Sequence, residues 1–230
     1  MASSHIKFSV TYNVTQLHQE LKHCLKMEWP LHFNNFDYQG DWRSISLRSA
    51  SGAANDIYAH SGDIAYRDTP LMAETPYISS IVNSWKCEKE SVRLLALSPG
   101  SIIKPHKDLG CSYTDGNFRI HIPILTNKDV LFTVDGHNLF LDEGACWYID
   151  FSNTHSIKNN GTTNRVHLIM DCIKNDWTDH LFRDNGYQPA TEEIENDYDE
   201  ATKAMIIAEL ERMDTDVARA LITKMKGQSE

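Results

Sequence analysis

The segment 130-VLFTVDGHNLFL-141 carries two apolar runs on either side of the dipeptide Asp135-Gly136. Asp-Gly is typical of a tight β-hairpin turn, in which the central residues adopt positive φ angles. Other short strand-like runs lie between residues 91 and 171, each bounded by residues that favour turns. Antiparallel strands at this spacing indicate a sandwich or barrel, and we predict a double-stranded β-helix, a jelly roll of the cupin kind.

Helices are predicted beside the first strands. Apolar residues recur at helical spacing in 14–27, after the candidate caps Asn13 and Thr15, and again after Pro76. The sequence therefore predicts a mainly β protein with flanking helices. The predicted strands are 41–49, 92–97, 118–125, 130–134, 137–141, 145–151 and 165–172.

Alternation along two of these strands assigns side chains to faces. In 118-FRIHIPI-124, Arg119 and His121 share one side of the strand and the apolar residues share the other. In the last predicted strand, Arg165 and His167 alternate with apolar residues in the same way. Two readings stay open, since the polar faces either contact solvent or line the mouth of the barrel.

Three residues near strand ends have the chemistry of a metal site. His106 and Asp108 form a His-x-Asp pair, and His155 follows later in the strand-rich region. Two imidazoles and one carboxylate leave three positions of an octahedral metal open, which is the ligand set of non-heme Fe(II) oxygenases. Arg165 lies ten residues after His155, and a guanidinium near such a triad indicates an acidic cosubstrate.

Composition excludes several other classes of protein. Lys and Arg number 22 against 32 Asp and Glu, so the net charge of −10 disfavours nucleic acid as a partner. The five cysteines show no CxxC spacing, which favours a reducing, cytoplasmic environment over a disulfide framework. We find neither a signal-peptide pattern nor a run of about 20 apolar residues, and we expect no membrane association.

The 230 residues divide most simply into one domain and an appendage. We predict an oxygenase domain over 1–190 and a C-terminal helical hairpin over 191–230, which opens with an acidic run at 192–200. The hairpin would pack on the barrel, cover the site or pair with another subunit to give a homo-oligomer. Simple packing is the default among these alternatives.

Several motifs in this order resemble the aspartyl/asparaginyl β-hydroxylases and the related bacterial proline hydroxylases. The resemblance runs from about Trp42 to Asp171 and implies a double-stranded β-helix enzyme. Such enzymes use Fe(II), 2-oxoglutarate and dioxygen to hydroxylate an unactivated carbon, and they release succinate and carbon dioxide. The motifs are Arg93-Leu94, 97-LSPG-100, 105-PHKD-108, 118-FRIHIPI-124, Gly144, Trp147, His155-Ser156 and 165-RVHLIMD-171.

The resemblance also implies roles for particular residues. The catalytic iron ligands would be His106, Asp108 and His155. Arg165 resembles the residue that pairs with the distal carboxylate of 2-oxoglutarate, because a planar guanidinium makes two parallel hydrogen bonds to a carboxylate. The residues at or beside the inner carboxylate would be Arg119 and His121.

Two further residues are weaker candidates for substrate contact. Arg48 resembles a family position near the pocket that would hold a substrate carboxylate, although an exposed arginine at a strand end is the simpler alternative. His167 either lines the pocket, orients a neighbouring group or serves as a structural histidine. With Arg119 and Arg165, Arg48 would make a basic pocket for a zwitterionic or acidic substrate.

We therefore predict an Fe(II)- and 2-oxoglutarate-dependent hydroxylase that acts on an amino acid or on an amino-acid residue in a small peptide. A cupin dioxygenase that needs no 2-oxoglutarate is the alternative enzyme, and omission of 2-oxoglutarate separates the two. A non-catalytic module that senses metal or a small acid is the third reading. That module would bind its ligand without forming succinate.

Overall fold

A computed structural model describes residues 3–58, 60, 64–188, 200–213, 215, 218, 219, 221 and 222. The chain divides into two compact units, Met1–Pro189 and Ala190–Glu230. All of the strands named below belong to the first unit. Within the described residues, no helix is long and apolar enough to cross a membrane.

The first unit contains twelve strands and four α-helices among the described residues. The strands are β1 His5–Thr11, β2 Tyr38–Gln39, β3 Trp42–Ser49, β4 Arg67–Asp68, β5 Lys89–Leu97, β6 Ile102–His106, β7 Asn117–Leu125, β8 Val130–Val134, β9 His137–Leu139, β10 Ala145–Ile149, β11 His155–Asn159 and β12 Arg165–Ile173. The helices are α1 Val14–Cys24, α2 Pro70–Ala73, α3 Pro76–Ser84 and α4 Asp176–Asp184.

The strands form two antiparallel sheets. The larger has the order β1-β10-β7-β12-β5-β3-β4, and the smaller has the order β2-β6-β11-β8-β9. Apart from β3–β4 and β8–β9, strands that are neighbours in a sheet are not consecutive in the chain, as in a jelly roll. The predicted mainly β jelly-roll core with flanking helices is confirmed.

The predicted hairpin forms between β8 and β9, where Val134 pairs with His137. Asp135 has a φ of 48° and Gly136 a φ of 77°, which are the positive angles that a tight hairpin turn requires. The dipeptide therefore determines the local turn. The turn fixes the register between β8 and β9 at the edge of the smaller sheet.

One core lies between the larger sheet and the helices. It contains Leu17 and Leu21 of α1, Ile78 of α3, and Phe182 of α4, together with the apolar side chains of β5, β7 and β12. Burial of a side chain such as leucine contributes about 1.5–3 kcal/mol. This core therefore explains why one face of each central strand is uninterruptedly apolar.

A second core joins the two sheets. It includes Leu97 and Ile169 from the larger sheet and Phe132 and Ile157 from the smaller. The polar residues of β7 and β12 lie on this inner side, because the outer side packs against the helices. The predicted division of the two strands into a polar and an apolar face is confirmed. The polar faces point inward between the sheets and not toward solvent.

Helix α1 ends earlier than predicted. Asn13 caps its start by accepting a hydrogen bond from the backbone of Gln16, but the helix stops at Cys24, within the predicted 14–27. The last helix described, α5 Glu200–Met213, belongs to the second unit. Its Met205 and Met213 are 74% and 58% exposed, so these apolar side chains are not buried.

Most of the other C-terminal predictions concern residues outside those described. The acidic run at 192–200 is described only at Glu200, and most of the predicted second helix after Asp214 is likewise not described. The division at 190 and the helical hairpin therefore stay predictions. Within the described residues, this part of the chain contributes α5, and residues 218, 219, 221 and 222 are helical as well.

Gly144, just before β10, packs closely against the N-terminal segment around Tyr12 and Val14. Its φ is 74°, and an added Cβ would lie 2.6 Å from the Tyr12 carbonyl oxygen and 2.9 Å from Val14. Gly136 has a similar φ of 77° with no atom within 4 Å of such a Cβ. We expect Gly136→Ala to cost about 1–2 kcal/mol from backbone strain alone. Gly144→Ala should cost at least about 1 kcal/mol more, from overpacking.

Urea unfolding of the two variants checks this expectation. Both substitutions strain a backbone with positive φ, but only Gly144→Ala also places a Cβ against neighbouring atoms. Equal losses of unfolding free energy in the two variants would contradict the expectation, because they would show that the segment around Tyr12 moves aside at no cost.

Candidate active site

Strand pairing brings together the three predicted metal ligands. His106 ends β6 and His155 begins β11, and these two residues are paired directly across the smaller sheet. Asp108 follows β6 by two residues, where its backbone N–H donates to the carbonyl of Phe151. One ligand atom from each of the three side chains lies within 4.8 Å of the others.

Backbone carbonyls orient both imidazoles. Nδ1 of His106 lies 2.8 Å from the carbonyl oxygen of Lys104, and Nδ1 of His155 lies 3.1 Å from that of Asn153. Because a carbonyl only accepts, each Nδ1 carries the proton and each Nε2 keeps its lone pair for a metal. Burial lowers the pKa of His155 to about 4, which keeps this imidazole neutral near pH 7.

A chain of ion pairs runs from the metal ligands to the centre of the larger sheet. Nη1 of Arg119 donates to Asp108 at 2.8 Å, and its Nε donates to Asp171 at 2.6 Å. The other oxygen of Asp171 accepts from Arg93 at 2.7 Å and from Ser91 at 2.5 Å. Burial alone would raise the pKa of Asp171, but Arg119 and Arg93 outweigh it and hold that pKa well below its usual range.

Arg165 is a buried cation without a carboxylate partner. It is 1% exposed, and the described residues place no acidic group in an ion pair with it. Its Nη2 donates to Nδ1 of His167 at 2.9 Å, its Nε has no partner, and its guanidinium lies 5.5 Å from the ring centre of Phe132. Burial lowers the pKa of Arg165 to about 9. An anion at this point would offset the cost of burying the charge.

His121 and His167 form a buried neutral pair beside Arg165. Their Nδ1 atoms are 3.4 Å apart, and Nε2 of His121 has no partner. Burial, and then the charge of Arg165, holds the pKa of each histidine well below its usual value. Since Nδ1 of His167 accepts from Arg165, the structure makes His167 an orienting group for that guanidinium.

These groups border one cavity of about 530 Å³. Its volume falls in the usual range for small-molecule sites. The predicted residues on its wall are His106, Asp108, Arg119, His121, His155 and Arg165. Apolar side chains complete the lower wall, and they are Leu95, Ile103, Phe151 and Ile157.

The structure places Arg48 apart from the other predicted site residues, and its role in substrate binding stays a prediction. Arg48 lies outside the cavity wall, where Nη1 donates to Asp68 at 2.8 Å and Nε donates to the carbonyl of Lys89 at 2.9 Å. Asp108 and Asp171 balance the charge of Arg119 within the protein, and the basic pocket for the substrate stays a prediction. Of the three arginines expected to make that pocket, only Arg165 keeps an unpaired charge on the cavity wall.

Sequence reasoning missed two parts of the wall. His32 has no ligand spacing, yet its ring stacks on Trp42 with the ring centres 3.5 Å apart, and both rings line the cavity. Burial, and then the charge of Arg93, lowers the pKa of His32 to about 3, so it acts as a neutral aromatic wall. Glu90 also lines the cavity. No pattern in the sequence points to either residue.

Comparison with known proteins places this geometry in a family. The family model described as aspartyl/asparaginyl beta-hydroxylase matches residues 11–175. L-proline cis-4-hydroxylase of Rhizobium meliloti (strain 1021) is 25% identical over 194 residues, which are 82% of this chain and 67% of that protein. L-proline cis-3-hydroxylase 1 of a Streptomyces species is 23% identical over 136 residues, or 57% of this chain. The chain spans 47% of that second relative's length.

A solved structure agrees at the level of the fold. The oxidoreductase of the 2OG-Fe(II) oxygenase family from Burkholderia pseudomallei superposes with a TM-score of 0.53 at 9% identity. The match covers 75% of this chain and 86% of that one. Because the family model covers most of the chain, including the triad and Arg165, the protein belongs to the aspartyl/asparaginyl β-hydroxylase family.

Proposed function

We propose that this protein hydroxylates a carbon of an amino acid, either free or within a small peptide. Membership of the family makes the protein an Fe(II)- and 2-oxoglutarate-dependent hydroxylase. The assignment of residues is our proposal, in which His106, Asp108 and His155 hold the iron. The observation that carries it is the meeting of this triad and an unpaired, buried Arg165 on the wall of one cavity.

The donor set fits iron. Two neutral imidazoles with oriented Nε2 atoms and one carboxylate are ligands that Fe(II) accepts, and they leave positions for a chelating cosubstrate and dioxygen. When bound, the iron with 2-oxoglutarate and dioxygen supplies the oxidation, which converts a C–H bond to C–OH while 2-oxoglutarate becomes succinate and carbon dioxide. Arg119 holds Asp108 at a fixed angle through one of the carboxylate oxygens.

The cavity also fits 2-oxoglutarate. Among the described residues, Arg165 has no acidic ion-pair partner, and the distal carboxylate of the cosubstrate would supply one. His167 accepts from one nitrogen of the guanidinium and so limits its rotation. The orphaned Nε2 of His121 is a further polar atom that a bound group would satisfy. Apolar residues around the triad keep bulk water away from the reacting carbon.

The names of the two curated relatives favour a small amino acid as substrate, since both are L-proline hydroxylases. A screen of the twenty amino acids and short peptides for a gain of one oxygen, by mass spectrometry, tests this. Succinate formed only in the presence of 2-oxoglutarate, together with a hydroxylated product, is the expected outcome. A product formed equally well without 2-oxoglutarate would favour the cupin dioxygenase instead.

Location and assembly stay proposals. All five cysteines are free, as expected of a cytoplasmic protein. Self-association through the C-terminal helices is the second proposal, and light scattering of the full chain against a chain ending at 189 would test it. The same mass per chain for both proteins, each monomeric, would remove that role.

The triad is tested by metal binding. We expect one Fe(II) per chain in the wild type and a severe loss in His155→Ala, because a buried imidazole ligand is removed. Asp108→Ala should keep partial affinity, since two imidazoles remain and water can take the vacated position. Anaerobic calorimetry gives the stoichiometry and the Kd. His137→Ala, which removes an exposed histidine from the β8–β9 hairpin, is the control and should bind iron normally. Full binding by His155→Ala would refute the triad.

Arg165 is tested by affinity for 2-oxoglutarate. Arg165→Met keeps much of the volume and removes the charge, so iron binding should survive while 2-oxoglutarate binding weakens by about 2–5 kcal/mol. Arg165→Lys should recover only part of the loss, because an ammonium lacks the two-pronged geometry. Arg183→Met, at an exposed position on α4, is the matched control. An unchanged half-saturating concentration in Arg165→Met would show that another residue holds the distal carboxylate.

A further inference from the structure

Glu90 differs from the other acidic residues on the cavity wall. The wall contains three carboxylates, and Asp108 and Asp171 are both in ion pairs with arginines. The side chain of Glu90 has neither a hydrogen bond nor an ion pair to any described residue, although Glu90 is half-buried. An unpaired carboxylate removed from water is costly unless a ligand satisfies it.

An irregularity in strand pairing turns Glu90 toward the cavity. Met170 pairs with Val92 and Cys172 pairs with Lys89, so Asp171 alone lies opposite both Glu90 and Ser91. This extra residue in β5 is a β-bulge, a feature that re-aims a side chain and is common next to active sites. Strict alternation would have put Glu90 on the same side as Val92, in the core beneath the helices.

Among the described residues of the wall, one carboxylate and two cations, Arg165 and Lys107, have no ion-pair partner. Arg93 and Arg119 are balanced by Asp171 and Asp108 through direct contacts. Arg165 is assigned to the cosubstrate, and the remaining cation, Lys107, is exposed to solvent. Glu90 is therefore the carboxylate on this wall with which no described arginine or lysine pairs.

The surroundings of Glu90 favour a cationic partner. Burial, and then the nearby carboxylates of Asp171 and Glu88, raises the pKa of Glu90, and the charge of Arg119 offsets only part of this rise. A positive group in direct contact with Glu90 would therefore relieve an unfavourable environment. Tyr66 also lines the cavity, and Glu90 contributes to the raised pKa of its phenol after burial. The hydroxyl of Tyr66 lies 3.5 Å from the carbonyl oxygen of His60, to which it donates.

We propose that Glu90 binds a protonated amine of the substrate and selects for compounds that carry one. This inference rests on the proposed function and names a recognition group for it. The amine is either the α-ammonium of a free amino acid or the side-chain ammonium of a basic residue, since both have the same chemistry. In either case, the amine would be held by Glu90 while the triad faces the carbon that reacts.

The test compares free and acetylated amines as substrates. Probes are the twenty L-amino acids and their Nα-acetyl derivatives, with Nε-acetyl-L-lysine added, and the measurement is the succinate formed above the level without substrate. We expect wild type to accept an amine-bearing probe and to reject its acetylated form. Loss on Nα-acetylation identifies the α-amine, and loss on Nε-acetylation identifies the side-chain amine.

Two matched variants assign that preference to Glu90. Glu90→Gln keeps the shape and should raise the KM for the amine-bearing probe by about 10- to 100-fold, the value of a hydrogen bond to a charged group. It should also lose discrimination against the acetylated form. Glu88→Gln removes the same charge two residues away, at an exposed position outside the cavity wall, and should behave as wild type.

The outcomes separate this inference from the proposed function. Calorimetric binding of 2-oxoglutarate by Glu90→Gln verifies that the variant is folded. An unchanged KM and unchanged discrimination in Glu90→Gln would overturn the proposal. A wild-type protein that accepts only acetylated or amine-free probes, or that responds to no amine-bearing probe, would overturn it as well. By contrast, iron-loaded wild type that never converts 2-oxoglutarate to succinate would contradict the proposed function itself.

Discussion

Asp171 lies between two arginines on the inner face of the larger sheet, and the geometry of the site depends on this contact. Through Arg119 it connects β12 and β7 to Asp108, and through Arg93 it connects to β5. Removal of one partner from a buried pair of this kind costs about 3–5 kcal/mol, because the other charge stays behind unpaired. The carboxylate of Asp108, the proposed ligand, is therefore held by the central strands of the fold and not by its own loop alone.

The two sheets divide the chemistry between them. The smaller sheet supplies His106 and His155 from paired strands, whereas the larger supplies Arg119, His121 and Arg165. The core between the sheets encloses the space where these groups meet, and the helices cover the outer face of the larger sheet. A polar cavity is thus sustained inside an apolar sandwich, because nearly every charge on its wall has a partner within the protein or in a proposed ligand.

Much of this arrangement is predictable because it is local. Alternation along β7 and β12 has a period of two, so Arg119, His121, Arg165 and His167 could be assigned to one face from sequence alone. The Asp135-Gly136 turn is equally local. What depends on pairing between distant strands was not predictable. The bulge that exposes Glu90 to the cavity, the contact of Arg48 with Asp68, and the neutralisation of Arg119 all result from register and packing.

Isotope labelling in oxygen-18 gas tests the central claim, that this cavity couples 2-oxoglutarate decarboxylation to oxidation, most directly. The measurement is the mass of the succinate formed by the iron-loaded protein. The account predicts that succinate carries one atom of oxygen-18, since dioxygen supplies the second oxygen of its new carboxylate. Succinate without the label, or oxidation of a substrate with no succinate formed, would contradict it.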